Sequence, residues 1–228
     1  MMPRKARSAP GGLIYHVWNR AAARMKMFRT EADFAAFERV LAEAVRRNPI
    51  QILDFCIMPN HWHFVVKPEH DGELSAFFRW LTLTHAMRWR VSHKTVGYGS
   101  LYQGRFKSLP VQADGHLLTL CRYVERNPVT AGLVKRAQDW RWGSLWIRRN
   151  GTAEQKALLS PWPVERPRNW LETVNMALTA KEQERLVTSF DRGWPYGDET
   201  WTGKIVKQLR LQHTTRREGR PSRNKREQ

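Results

Sequence analysis

Two histidines flank one tryptophan in Met58-Pro59-Asn60-His61-Trp62-His63-Phe64-Val65-Val66, a spacing that could do chemistry. Pro59-Asn60 signals a turn, and the β-branched and aromatic run after it predicts a strand over His61 to Lys67. On a strand, side chains at i and i+2 leave the same face, so His61 and His63 project together while Trp62 points the other way. Two neutral imidazoles aimed at one point suit a divalent metal and leave positions open for other ligands, water or a phosphate oxygen. By itself His-x-His is short and common by chance. Two histidines that cap a strand or bond to backbone groups account for it better.

A metal that holds a phosphate also needs a nucleophile, and the tyrosines available are Tyr15, Tyr98, Tyr102, Tyr123 and Tyr196. Asp114 is a helix cap, and Leu117, Leu120, Cys121 and Val124 after it form an apolar stripe. Tyr123 borders that stripe and Asn127 follows at i+4, so phenol and amide point along one flank. An amide oxygen there would complete a metal site. From periodicity alone, a Tyr123 that packs at the core margin and an Asn127 that merely ends the helix before Pro128 explain the pair equally well.

Other elements must position these groups. Leu13 to Asn19 alternates as a first strand. From Thr30, Phe34, Phe37, Val40, Leu41, Ala44 and Val45 recur at helical spacing, with Glu31 and Asp33 in the first turn and a stop at Asn48-Pro49. Ile50 to Ile57 predicts a second strand, joined to the histidine strand as an antiparallel hairpin. Leu74, Phe77, Phe78, Leu81 and Leu83 mark a second helix to about Val91, which carries Arg79, Arg88 and Arg90; His85 on it reads as structural. After a glycine-containing loop over 92–100, Leu101 to Gln112 predicts a fourth strand with Arg105 and Lys107 on one face. Pro128 is expected to end the third helix. This order predicts an α+β fold, a ferredoxin-like antiparallel sheet with helices on one face and a mostly helical C-terminal extension.

From Asp139 the composition shifts. Trp140, Trp142 and Trp146, then Pro161, Pro163 and Pro167, describe an irregular connector that wraps the core. Thr179 with Glu182 makes a capping box for a helix through about Phe190, and Glu199 to Leu211 reads as another short helix. The expected division is a flexible basic N-terminus over 1–12, a core domain over 13–147, a Pro/Trp-rich connector over 148–178, a helical extension over 179–212 and a disordered basic tail over 213–228.

Thirty-nine Lys and Arg against 21 Asp and Glu give a net charge of +18, the footprint of a polyanion binder. Nucleic acid is therefore the expected partner. No long uncharged apolar stretch exists, which ranks a membrane surface well below it. The basic opening lacks an apolar signal core, so a cytoplasmic location is expected. Cys56 and Cys121 form no C-x-x-C pair and read as buried apolar thiols. Arg105, Lys107, Arg79 and Arg88 are candidate phosphate contacts. The tail holds Gly219-Arg220-Pro221 among basic residues including Arg217, a minor-groove pattern of the AT-hook type that a solvated basic tail also explains.

Several separated segments resemble one family. His61-Trp62-His63 is similar to the His-hydrophobic-His signature of HUH single-tyrosine transposases. Tyr123-Val124-Glu125-Arg126-Asn127-Pro128-Val129 with Ala131-Gly132-Leu133-Val134 looks like the segment that carries their catalytic tyrosine. Leu101 to Ser108 and Asp139 to Ser144 resemble the REP-associated tyrosine transposase branch, and the likeness spans about 12–147. The resemblance implies that 13–147 is the catalytic domain, that Tyr123 attacks a DNA phosphodiester to form a 5′-phosphotyrosine, and that His61, His63 and Asn127 hold Mg²⁺ or Mn²⁺. Its implied partner is hairpin or palindromic DNA with single-stranded flanks, bound by a monomer or homodimer. Two rivals are a domesticated DNA or RNA hairpin binder that does not cut, and a replication-initiator or relaxase-type nickase. Retention of His61, His63, Tyr123 and Asn127 together argues against the first, and palindromes flanking the gene would argue against the second.

Overall fold

The computed structural model describes residues 9–215. Its centre is a four-stranded antiparallel sheet in the order β2-β3-β1-β4, made of β1 (Ile14–Arg20), β2 (Gln51–Met58), β3 (His61–Lys67) and β4 (Lys107–Val111). Pro59-Asn60 closes the β2-β3 hairpin in two residues, as the sequence predicts. The Pro59 carbonyl then accepts from the N–H groups of Met27 and Phe28, so the turn is tied to the chain leaving β1.

Alternation divides the sheet into two faces. Tyr15, Val17, Phe55, Ile57, Trp62, Phe64 and Val66 face one core, covered by α1 (Glu31–Arg47) and α2 (Glu73–Ser92). Helix α1 starts where Thr30 and Asp33 cap one another's backbone N–H groups, and ends with Arg46 and Arg47 at the negative end of its dipole. The other face carries Ile14, Cys56, Met58, Val65, Leu109 and Val111 under α3 (Gly115–Thr130). The ferredoxin-like antiparallel sheet stands, and helices on one face holds for α1 and α2. Helix α3 lies on the opposite face, because its stripe Leu117, Leu120, Cys121 and Val124 buries against the side of the sheet that α1 and α2 leave open.

A register shift in β2 between Ile52 and Asp54 re-aims the strand. Ile52 faces the α1–α2 core, whereas Asp54, Cys56 and Met58 face α3. The carbonyl of Leu53, freed at the bulge, accepts from Trp162 Nε1 at 2.6 Å and Arg148 Nη2 at 2.8 Å. Both sheet edges are covered by later chain. Ile57 N–H donates to Trp142 O and Ser160 N–H to Ile52 O along β2, while Tyr196 bridges Pro110 and Gln112 along β4. The connector thus wraps the core through α4 (Ser144–Asn150), α5 (Ala153–Lys156) and α6 (Trp170–Asn175), and supplies the edge partners that exposed strands lack. Helices α7 (Ala180–Arg192) and α8 (Glu199–Gln208) follow, α7 beginning at the Thr179–Glu182 capping box.

Three local expectations are corrected. The fourth strand begins only at Lys107; residues 101–106 form a loop whose Tyr102 bridges Ala21, and Arg105 therefore lies off the strand rather than beside Lys107 on its face. Pro128 does not end α3, which runs on to Thr130, because a proline in the last turn forfeits only one backbone bond. The end is set instead by Gly132 at φ +67°, with Leu133 N–H returning to Pro128 O. Leu83 is 60% exposed on α2 and is not part of its buried stripe. Cys56 and Cys121 are free and buried, as expected. Among the described residues no helix is long and apolar enough to cross a membrane.

Candidate active site

The site forms where β3 begins, beneath the last turns of α3. Because the hairpin turn is so short, His61 is the first residue of β3 and Asn60 Oδ1 lies 2.6 Å from its Nδ1. Asn60 accepting there leaves the lone pair of His61 on Nε2. The rings of His61 and His63 stand perpendicular with centroids 5.0 Å apart. Helix α3 brings Tyr123 and Asn127 over them, one turn from each other. Tyr123 meets His63 edge-on at 5.7 Å between centroids. Asn127 Nδ2 is 3.4 Å from His63 Nε2, and the same amide reaches His61 and the Tyr123 phenol. The four residues singled out for chemistry therefore meet within one chain.

Burial sets their protonation. It pushes His61 down to about 4 and His63 well below the usual imidazole range, with the nearby Arg20 guanidinium adding to both. Both are neutral at pH 7 and present lone pairs. Burial raises the Tyr123 phenol, opposed by its bond to Asn127 and by Arg20, so the hydroxyl keeps its proton at neutral pH. A half-turn of the Asn127 amide exchanges Nδ2 for Oδ1, placing an oxygen between the imidazoles. Two neutral imidazoles and one amide oxygen on a rigid strand and helix fit a divalent cation with coordination positions to spare. Among the described residues no three His, Cys, Asp or Glu side chains are arranged to hold a metal ion.

Strand β1 contributes residues that the sequence reading did not single out. Pairing places Arg20 opposite His61 and Trp18 opposite His63, so His16, Trp18 and Arg20 share the site's face. His16 is fully buried, and its Nε2 lies 2.9 Å from His63 Nδ1. It stacks on Trp18 at 4.8 Å and meets Phe190 of α7 at 4.7 Å; burial holds it neutral, down to about 3. With its Nε2 engaged by His63, His16 keeps only Nδ1, which is buried without a hydrogen-bond partner. Phe190 also covers Tyr123 at 5.3 Å. The i, i+2, i+4 spacing of His16, Trp18 and Arg20 on a predicted strand was the available signal for one shared face.

Further from the centre, α3 is pinned by later chain. Trp170 Nε1 donates to the buried Glu125 at 2.7 Å, and Arg122 binds Glu182 and the carbonyls of Met176 and Ala177. Burial raises both Asp54 and Glu125, Asp54 to about 7 against the opposing Ser144 bond and Arg148 charge, and Asp54 raises Glu125 further. Ser144 Oγ–H donates to Asp54.

The basic candidates scatter. Lys107 is exposed and lies opposite Trp18, on the histidine face of the sheet. Arg79 and Arg105 line a groove beside α2. Arg88 makes a two-pronged ion pair with Glu43 of α1 at 2.6 and 2.8 Å. Arg217 and Arg220 lie outside the described residues. His85 is structural: the Tyr102 hydroxyl donates to its Nδ1 at 2.7 Å and accepts from Trp62 Nε1 at 3.2 Å.

The family model described as "Transposase IS200 like" matches residues 11–127, just over half of the sequence. The chain belongs to the IS200-like transposase family, and with it to the enzymes that cut and transfer DNA. Among solved structures, a REP-associated tyrosine transposase bound to a REP hairpin shares the fold at TM-score 0.52 and 17% identity, covering 68% of this chain and 90% of that one. A presumed transposase from Deinococcus radiodurans aligns at TM-score 0.39 and 17% identity, over 55% of this chain and 97% of that one. No curated protein sequence matches the chain.

Proposed function

We propose that this chain cuts and rejoins single-stranded DNA at REP-like hairpins with Tyr123 as the nucleophile. The observation that carries this reading is the convergence of His61, His63, Asn127 and Tyr123 in one chain. The hairpin substrate is carried over from the fold neighbour's bound DNA, and the excess of positive charge supports a polyanionic partner.

The Tyr123 oxygen attacks a backbone phosphorus, the P–O3′ bond breaks, and the released 3′-oxygen takes up a proton as the phenol gives one away. One phosphoester replaces another, so a later 3′-hydroxyl can reverse the step and join strands. A phenol with a raised pKa is a weak nucleophile at neutral pH. A bound Mg²⁺ or Mn²⁺ would supply the missing polarisation of the phosphoryl oxygen. His61, His63 and Asn127 would hold that ion. His16 Nε2, 2.9 Å from His63 Nδ1, would hold the tautomer that keeps His63 Nε2 free by accepting the Nδ1–H. Arg20, opposite His61, places a fixed positive charge where phosphate charge accumulates.

The test is incubation of the full chain with hairpin oligonucleotides taken from palindromes of its own genome, with and without Mn²⁺. A covalent adduct that survives denaturation, depends on Mn²⁺ and is lost in His61→Ala is expected. No adduct across the panel, with binding intact, would favour a hairpin-binding protein that does not cut.

A further inference from the structure

We propose that Asn60 sets which nitrogen of His61 is free, and that the left-handed turn at Ala23 and Arg24 holds Asn60 in place to do so. The inference rests on the reading of His61 as a cation ligand and assigns the residues that aim it.

The chain leaving β1 folds over the hairpin turn. Ala21 N–H donates to Asn60 O at 2.8 Å, and the N–H groups of Met27 and Phe28 donate to Pro59 O at 2.9 and 3.0 Å. Between these contacts lies one tight turn over Ala22–Arg24, in which Ala23 has φ +50° and ψ +23° and Arg24 has φ +56°. Two successive residues with a Cβ in the left-handed region are disfavoured, and such a backbone persists only where its surroundings fix it. Both side chains are exposed, so the packing of neither accounts for the conformation. The turn aims the Arg24 carbonyl at Asn60, whose Nδ2 donates to it at 3.4 Å.

That contact decides which way the Asn60 amide faces. A backbone carbonyl can only accept, so the amide nitrogen must face Arg24 and Oδ1 must face His61. Oδ1 lies 2.6 Å from His61 Nδ1, where one of the two atoms must carry a proton, and an amide oxygen carries none. His61 Nδ1 is therefore the N–H, and the neutral ring keeps its lone pair on Nε2. The opposite tautomer would set two lone pairs against each other at that distance. With Nδ1 engaged by Asn60, Nε2 is the nitrogen left to meet the Asn127 amide, the other proposed ligand on α3. A partner that holds the second nitrogen of a ligating imidazole fixes both its tautomer and its ring orientation.

Long-range proton–nitrogen NMR spectra of the full chain without metal read the tautomer of His61 directly. Wild type is expected to show one neutral form with the proton on Nδ1. Asn60→Leu should populate the Nε2–H form and weaken Mn²⁺ binding about ten-fold in titration calorimetry, whereas Asn60→Asp, which still offers an oxygen to Nδ1, should keep the wild-type tautomer. Arg24→Gly, which enters φ +56° without a Cβ, should keep the tautomer and raise the thermal midpoint by about 2 °C; a lowered midpoint would contradict the strained turn. A wild-type ring protonated on Nε2, or an unchanged tautomer in Asn60→Leu, would overturn the proposal. A tautomer that follows Asn60 in a chain that binds no Mn²⁺ would keep the positioning role and remove the ligand reading; Mn²⁺ binding at His61 with a tautomer indifferent to Asn60 would do the reverse.

Discussion

For the single residues, which nitrogen of His63 is free decides whether it can hold a cation. His16 Nε2 sits 2.9 Å from His63 Nδ1 inside a pocket closed by Trp18 and Phe190. His16→Phe keeps the packing volume and removes the acceptor. It should weaken Mn²⁺ binding about 10- to 100-fold by titration calorimetry, whereas His16→Gln, whose amide oxygen can accept the same bond, should restore most of it. Equal Mn²⁺ affinity in wild type and His16→Phe would show that His16 only fills space. The pair His61 and His63 was legible as a shared face from its spacing alone, and Tyr123 with Asn127 as a shared helix flank. That the two flanks meet was not, because the contact spans 64 residues and depends on which face of the sheet α3 covers. His16 was hidden for the same reason: its alternation was visible, but the partner strand that gives it meaning was not.

At the scale of elements, the hairpin that delivers the histidines is held by the residue between them. Trp62 is fully buried on the opposite face, stacks on Phe78 at 5.6 Å and donates to Tyr102. Trp62→Ala should cost about 3–5 kcal/mol in urea unfolding, a cavity effect separate from any loss of chemistry. A cost within about 0.5 kcal/mol of zero, the range of an ordinary surface substitution, would contradict its role as the strand's anchor. Element types and order were readable from periodicity, caps and turns: the Thr30 and Thr179 boxes and the Pro59-Asn60 turn each fall where local chemistry dictates. The misplacements came where tertiary context overrides local rules. Pro128 sits in a last turn, where its missing N–H matters little. Leu101 to Phe106 has strand-like composition, yet it bends to meet Ala21 and Arg20 instead of pairing along β1. The bulge at Leu53, which turns Asp54 toward α3, left no sequence signal.

For the whole molecule, acid and base pull stability in opposite directions. Burial lowers His16 and His85 to about 3 and His61 to about 4, so their contribution is full above about 6.5 and is lost as pH falls toward those values. Asp54 runs the other way. Raised to about 7 by burial, it favours the fold fully below about 4 and loses that contribution as pH rises to 7. Asp54→Asn keeps an acceptor for Ser144 and removes the titration. Its thermal midpoint, measured against wild type, should therefore shift in the variant's favour between pH 5 and 7.5; a constant difference would mean that Asp54 is not held protonated. The fold class and the polyanion partner class followed from element order and charge, while the clamp of α3 by Trp170, Arg122 and Phe190 emerged only in three dimensions. The most direct test of the central claim is mass spectrometry of the protease-digested adduct formed with a hairpin oligonucleotide and Mn²⁺. A 5′-phosphorylated nucleotide on the peptide containing Tyr123 is expected, with no adduct in Tyr123→Phe, which should still bind the hairpin. An adduct on any other residue, or one that persists in Tyr123→Phe, would contradict it.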